Sequence, residues 1–250
     1  TLMCRNADKG QQAAETILSG TGHKPDMIQC DFSKPADIDR AADQFLAKNN
    51  ALHLLVNNAG AYFPTLQHDE RGLEMSIAVN HMGYFHLTQR LLDCLKNTAP
   101  ARIVSVASRA HTRGAVHFDD LHFKRRRFAG MPAYSASKLM NILFTRELAR
   151  RLEGTDIITH CFHPGVVRTR FGSGASGMVW LFWPIFRVLM INAKRGAKTG
   201  LHLALSEDAG SSTGQFWSSM KRRKGNRHAR NDDNAAQLWE KSEEMVNVRN

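Results

Sequence analysis

A chain of 250 residues with 42% hydrophobic content suits one large α/β domain, spanning 1–250, better than two small ones. Its 34 Lys and Arg against 23 Asp and Glu give a net charge of +11, which attracts phosphorylated cofactors, acidic surfaces, anionic lipid and nucleic acid without choosing among them. Four widely spread cysteines, Cys4, Cys30, Cys94 and Cys161, contain no C-x-x-C pair, which excludes a disulfide framework or cysteine zinc site and fits a reducing, cytoplasmic compartment.

Thr1–Arg5 reads as the middle of a strand rather than a charged leader, so no signal peptide is expected. LMC (2–4) is followed by a helix near 7–19, MIQC (27–30), a helix near 35–48 and LHLLV (52–56). The alternation continues with a long helix through 72–97, RIVSV (102–106), a helix from about 133 to 153 and DIITHCF (156–162). Short apolar runs separated by helices of this length predict a parallel sheet with helices on both faces. Residues 109–132, with KRRR at 124–127, and 171–192 break the rhythm and are candidate substrate loops. The window MVWLFWPIFRVLMI (178–191), interrupted by Pro184 and Arg187, is too short for a membrane span of roughly 20 residues but can lie against a membrane. A strand followed by a basic loop is predicted over 214–233 and a last helix over 234–246. His160 and His163 sit in a strand running into a turn, and no metal site is expected there.

The chemistry centres on YSASK (134–138). On a helix, Tyr134 and Lys138 are four residues apart on one face. A tyrosine of ordinary pKa near 10 is a poor acid–base group at neutral pH, but a nearby cation favours the phenolate and pulls that pKa down. Ser108 stands just past the strand RIVSV, at the edge where active sites of such sheets form, and its hydroxyl could bind a substrate oxygen. NNAG (57–60), AVNHMGYF (78–85) and HPGVVRT (163–169) also fall at element ends where a cofactor could be held.

These stretches, with CRNADKG (4–10), CDFS (30–33) and YSASKLMNILFTRELARRL (134–152), resemble the short-chain dehydrogenase/reductase family and its retinol-dehydrogenase-like branch over nearly the whole chain. The resemblance implies a Rossmann-like, doubly wound parallel sheet in three layers. It implies Tyr134 as the catalytic acid–base, Lys138 as the partner that lowers its pKa and holds the nicotinamide ribose, Ser108 as the residue orienting the substrate carbonyl, and Asn80 as part of a proton relay to the lysine. For the cofactor it implies Asp31 beside adenine, Asn57, Asn58 and Gly60 beside the adenosine ribose, and Pro164, Gly165, Val167 and Thr169 around the nicotinamide amide and pyrophosphate. Arg5 follows the strand at which an arginine can pair with the 2′-phosphate of NADP, so NADP is expected ahead of NAD.

The family's first strand and its glycine-rich T-G-x-x-x-G-x-G turn have no counterpart in these residues; positions 1–5 match the second strand. In the family order 3-2-1-4-5-6-7 that strand is central, so the expectation is either an N-terminally truncated piece of a longer enzyme or an inactive relative serving as a binding partner. The expected substrate is a hydrophobic alcohol or its aldehyde or ketone, under an apolar lid of Met178, Val179, Trp180, Leu181, Phe182, Trp183, Ile185 and Phe186; the same window could equally be core or a dimer surface in place of a lid or a peripheral membrane contact. The helix after Tyr134 is apolar on nearly all sides through Leu139, Met140, Ile142, Leu143 and Phe144, which predicts a homodimer. Nucleic-acid binding is disfavoured, because KRRR and KRRKGNRHAR (221–230) come without a zinc spacing or recognition helix.

Overall fold

The computed structural model describes residues 1–165 and 192–247. Five strands, β3 (Leu54–Asn57), β4 (Ala101–Val106), β5 (Ile157–His163), β6 (Gln215–Ser218) and β7 (Lys221–Arg223), form one sheet in that order. The first four run parallel, with Leu54 opposite Arg102, Ile103 opposite Thr159 and Cys161 opposite Phe216. β7 returns antiparallel to β6, with Trp217 opposite Arg222. The basic loop expected after 214 is thus in part a hairpin strand, turned by Ser219 and Met220, both at positive φ.

β1 (Leu2–Cys4) and β2 (Met27–Gln29) pair parallel in a separate two-stranded sheet. The expected topology has a strand between β1 and β3, and among the described residues none lies there. Instead β1 and β3 line a common cleft of about 810 Å³.

The helices follow from local chemistry. α1 (Ala7–Thr21) starts at Asn6, whose side chain accepts from the Lys9 amide, and ends at Gly22 in the left-handed region. α2 (Pro35–Leu46) begins with proline at its first turn, where a missing N–H costs nothing. The long helix expected over 72–97 is three pieces: α3 (Met75–Ile77), a π-turn (Ala78–Met82) and α4 (Gly83–Thr98). α5 (Gly130–Arg151) carries the YSASK stretch; α6 (Ala193–Leu205), α7 (Glu207–Gly210) and α8 (Asp232–Asn247) follow.

Strand alternation gives the sheet two apolar faces. Val104, Phe162 and Trp217 point to one, where Leu203 of α6 and Ala209 of α7 cover them. Ile103, Cys161 and Phe216 point to the other, against the main core with α4, α5 and α8. This is the three-layer α/β arrangement. Within the larger core Phe144 stacks on Trp239 at 6.0 Å, and Phe85 meets the same indole edge-on at 5.0 Å. Leu139, Met140, Ile142, Leu143 and Phe144 are all buried within this one chain. The all-round apolarity that suggested a second subunit is therefore used internally, with α8 laid along α5.

Gly114, at the end of the 3-10 turn Arg109–Arg113, has ordinary φ but a crowded surrounding: a Cβ there would fall 2.4 Å from the Ser135 carbonyl oxygen. Backbone cannot yield as a flexible side chain can. Gly114→Ala is expected to lower stability by roughly 1–3 kcal/mol, read by urea titration, and a variant as stable as the parent would show the contact to be looser than described.

Candidate active site

The residues singled out from sequence collect at the carboxyl ends of the strands, the edge where α/β sheets bind ligands. Arg5 follows β1, Asp31 follows β2, Asn57 ends β3, Ser108 follows β4, and Pro164 and Gly165 follow β5. Val167, Thr169 and the apolar window 178–191 lie outside the described residues.

Ser108 caps the 3-10 turn, its Oγ accepting from the Ala110 amide at 3.2 Å. Tyr134, half-buried in the first turns of α5, is hydrogen-bonded to that same serine. Burial raises the Tyr134 pKa above the ordinary tyrosine value, and the Ser108 hydroxyl, by stabilising the phenolate, opposes the rise. Lys138 lies one turn on, only 3% exposed, with Nζ 5.8 Å from the Tyr134 ring centre. Its Nζ donates to the Val106 carbonyl oxygen at 3.2 Å, and burial drives its pKa down to about 7. The pair is therefore brought together as the spacing predicts, but the tyrosine is not pulled down in this state: desolvation of both groups outweighs their attraction.

Asn80 sits fully buried in the π-turn, a kind of helix defect often found at functional sites. Its Oδ1 accepts from the Ala61 amide at 2.7 Å, while Nδ2 donates to the Ala61 carbonyl at 2.9 Å and to Ser137 Oγ at 3.0 Å. It thereby staples the loop after β3 to the helix that carries Tyr134 and Lys138. Gly60 in that loop comes so close that a Cβ would stand 3.3 Å from both Asn80 Oδ1 and Lys138 Nζ.

The cleft between β1 and β3 has Leu2, Met3, Leu54 and Val56 along the place where the expected topology has a strand, and Arg5, Asp31, Asn57, Asn58 and Gly60, five of the residues expected to hold a cofactor, at its carboxyl end. Arg5, Asn58 and Gly60 are exposed, whereas Asn57 is buried. The Asn57 side chain turns inward and donates to Thr88 Oγ1 at 3.1 Å, bracing α4 against β3. Asp31 accepts from the Ser33 amide and hydroxyl, which shapes the turn after β2. A second cavity, of about 470 Å³ around Gly154 and Gly210–Thr213, lies at the opposite strand ends and contains none of the expected site residues.

Three neighbours of the site were not singled out from sequence. His111 donates from Nδ1 to the Ser108 carbonyl at 2.6 Å and so holds the serine turn. Tyr62 meets Tyr134 edge-on at 6.2 Å. Tyr84, inside AVNHMGYF, places its ring 5.7 Å from Lys138 Nζ. The motif containing Tyr84 was visible; its facing on α4 required the fold.

A family model described as short chain dehydrogenase matches residues 1–176. The chain belongs to that family, and is an NAD(P)-dependent oxidoreductase of alcohols and carbonyls. Within it the chain is similar to retinol dehydrogenase 12 of Homo sapiens, 40% identical over 249 residues that cover 99% of this chain and 78% of that protein. Retinol dehydrogenase 11 of Homo sapiens is 39% identical, covering 99% and 77%. Among solved structures, an uncharacterized protein from Mycobacterium paratuberculosis matches with a TM-score of 0.78 at 28% identity, over 98% of this chain and 82% of that one. These relatives place the chain in the retinol-dehydrogenase-like branch.

Burial holds four imidazoles of the chain neutral: His81 is pushed down to about 3 and His163 to about 4, and His111 and His160 are lowered too. Each is freed on unfolding to its ordinary value of 6.5, so below that pH the unfolded chain binds more protons. Stability from these groups is full above 6.5 and is lost as pH falls through about 4 and then about 3. Buried Glu74, whose pKa is raised by desolvation, works in the opposite sense as it titrates. Urea unfolding is expected to show a falling free energy from neutral pH towards pH 4; a flat profile there would contradict the burial of these rings.

Proposed function

We propose that this chain interconverts a hydrophobic alcohol with its aldehyde or ketone, with NADP(H) preferred over NAD(H) and Tyr134 as the acid–base group. The observation that carries the reading is Tyr134 next to Ser108 and a buried Lys138, whose Nζ stands 5.8 Å from the phenol ring and closely faces Gly60. The named relatives, retinol dehydrogenases, act on a substrate of this hydrophobic class and support it.

The residues present fit a nicotinamide dinucleotide. Gly60 leaves open the space beside Lys138 Nζ that any side chain would fill, and Arg5, Asp31 and Asn58 line the cleft that leads there. Arg5 is exposed at the end of β1, where its guanidinium favours a 2′-phosphate. Asp31 and Asn58 would contact the adenosine half, and Pro164 and Gly165 the nicotinamide side, Gly165 being at φ 92 where only glycine is relaxed. When bound, the cofactor supplies or accepts the hydride.

The rest is proton management by this chain. Ser108 donates to the substrate oxygen and holds it against Tyr134. Tyr134 gives its Oη proton to that oxygen in reduction and takes it back in oxidation. Lys138, when charged, favours the phenolate and so lowers the cost of both transfers. Asn80 fixes the loop at Gly60 against α5, which keeps the phenol, the amine and the cleft in register. Homodimer formation finds no support in α5, whose apolar side chains are covered internally. Among the described residues no helix is long and apolar enough to cross a membrane; the +11 charge favours peripheral contact with an anionic lipid surface, where a hydrophobic substrate would be met.

NADPH oxidation with a panel of long-chain aldehydes and ketones tests the reading. Tyr134→Phe is expected to reduce kcat by about 10²–10⁴-fold while leaving NADPH binding, followed by fluorescence, nearly unchanged; equal turnover by both proteins would remove Tyr134 from the mechanism. Arg5→Asp should weaken NADPH binding far more than NADH binding, and an equal effect on the two would refute the 2′-phosphate assignment.

A further inference from the structure

The ammonium of Lys138 poses a problem of electrostatics that the acid–base reading leaves open. It is buried, and among the described residues it makes no ion pair and donates a hydrogen bond only to the Val106 carbonyl oxygen. An uncompensated buried cation is costly, and it ordinarily sheds its proton. A neutral amine would do nothing for the Tyr134 phenolate. Something near Nζ must therefore keep part of the charge.

The surroundings can be taken element by element. β4 offers the Val106 carbonyl, the loop after β3 offers Gly60, and the π-turn offers Asn80, whose amide is committed to Ala61 and Ser137. The titratable neighbours are Tyr134 on the same helix and Tyr84 on α4. The two rings stand 5.8 and 5.7 Å from Nζ, within the range of about 6 Å in which an aromatic face attracts a cation.

We propose that Tyr84 is a positioning residue of the active site: its ring and that of Tyr134 form a two-sided aromatic cradle that holds the Lys138 ammonium charged inside the protein. Tyr84 itself is suited to this and to little else. It is 1% exposed, its hydroxyl has no hydrogen-bond partner among the described residues, and burial drives its pKa far above the ordinary value, so it stays neutral and does not exchange protons. What it presents to Lys138 is the negative potential of its ring. Without that face the amine would lose more of its charge near neutral pH, and the phenolate of Tyr134 would lose its support.

The inference rests on the acid–base reading for its meaning but is tested without cofactor or substrate. The side-chain resonance of Lys138 in isotope-labelled protein, assigned by its disappearance in Lys138→Met, is followed by NMR across pH. Burial alone lowers the Lys138 ammonium to about 7, and the parent is expected to titrate above that value because the rings favour the charged form. Tyr84→Phe keeps the ring and should titrate with it. Replacing Tyr84 by phenylalanines carrying two and then three fluorines, which drain the ring face with little change of shape, should lower the midpoint in steps. Tyr84→Leu should lower it by about one pH unit, a tenfold loss of proton affinity. A trifluorinated variant that titrates like Tyr84→Phe would overturn the proposal, as would Tyr84→Phe falling as far as Tyr84→Leu. The fluorinated series keeps the packing volume, so the answer does not depend on Tyr84→Leu folding well. Should the midpoints shift as expected while NADPH turnover is absent, the catalytic reading fails alone; unshifted midpoints with normal turnover sink only the cradle.

Discussion

A single carbonyl oxygen at the end of β4 organises the functional edge of the molecule. Val106 O accepts from Lys138 Nζ at 3.2 Å and from Asn141 Nδ2 at 3.0 Å, two donors one turn apart on α5. That oxygen lies where the strand stops, so it has no ladder partner ahead of it and would otherwise be a buried acceptor in need of one. Satisfying it from α5 fixes both the height and the rotation of the helix against the sheet. Tyr134, four residues before Lys138, then has to emerge beside Ser108, which follows the same strand.

The close approaches around this point depend on what is missing from two glycines. Gly60 brings the loop after β3 within reach of Lys138, and Gly114 lets the serine turn settle on the first turn of α5. Neither contact would survive a methyl group without movement. The π-turn adds the complementary device: by widening the helix at Ala78–Met82 it allows Asn80 to reach Ala61 and Ser137 together, joining three segments that are remote in sequence. Burial is the common cost. Asn80, Lys138 and the imidazoles of His81 and His111 are removed from water; Asn80 meets Ala61 and Ser137 and Lys138 meets the Val106 carbonyl, while each imidazole keeps one ring nitrogen without a hydrogen-bond partner among the described residues.

Where the chain's own pattern is strong, it predicted the structure well. The strands Ala101–Val106 and Ile157–His163 and the helices at α1, α2, α5 and α8 match apolar runs and turn residues that act locally. The spacing of Tyr134 and Lys138 needed only helical geometry, and Ser108 only its place after a strand. The misses are those in which distant partners decide. KRR at 221–223 is charged at every position and shows no strand alternation, yet it pairs because β6 supplies an open edge. The break at Ala78–Met82 comes from contacts of Asn80 that no local periodicity encodes. Asn57 ends β3 at the cleft while its side chain donates inward to Thr88, a contact that the motif alone does not reveal. The apolarity of α5 pointed correctly to complete burial, while the covering surface turned out to be α8 of the same chain.

Tyr134 and Lys138 are best regarded as one titrating unit. Burial pushes their proton affinities apart, the phenol up and the amine down to about 7, because it disfavours the charged form of each. Each proton lost by the phenol makes the amine hold its own more tightly, and each proton on the amine eases ionisation of the phenol, so the two cannot be assigned independent values. The useful microstate, phenolate beside ammonium, carries no net charge and so costs less to bury than either ion alone, but more than the uncharged phenol–amine pair that burial favours. Ser108, through its bond to the phenolic oxygen, biases the pair towards that state from one side, and the Val106 carbonyl, by binding the ammonium, biases it from the other. Ionisation of the pair thus depends on the groups that oppose desolvation, Ser108 at the phenol and the Val106 carbonyl at the amine.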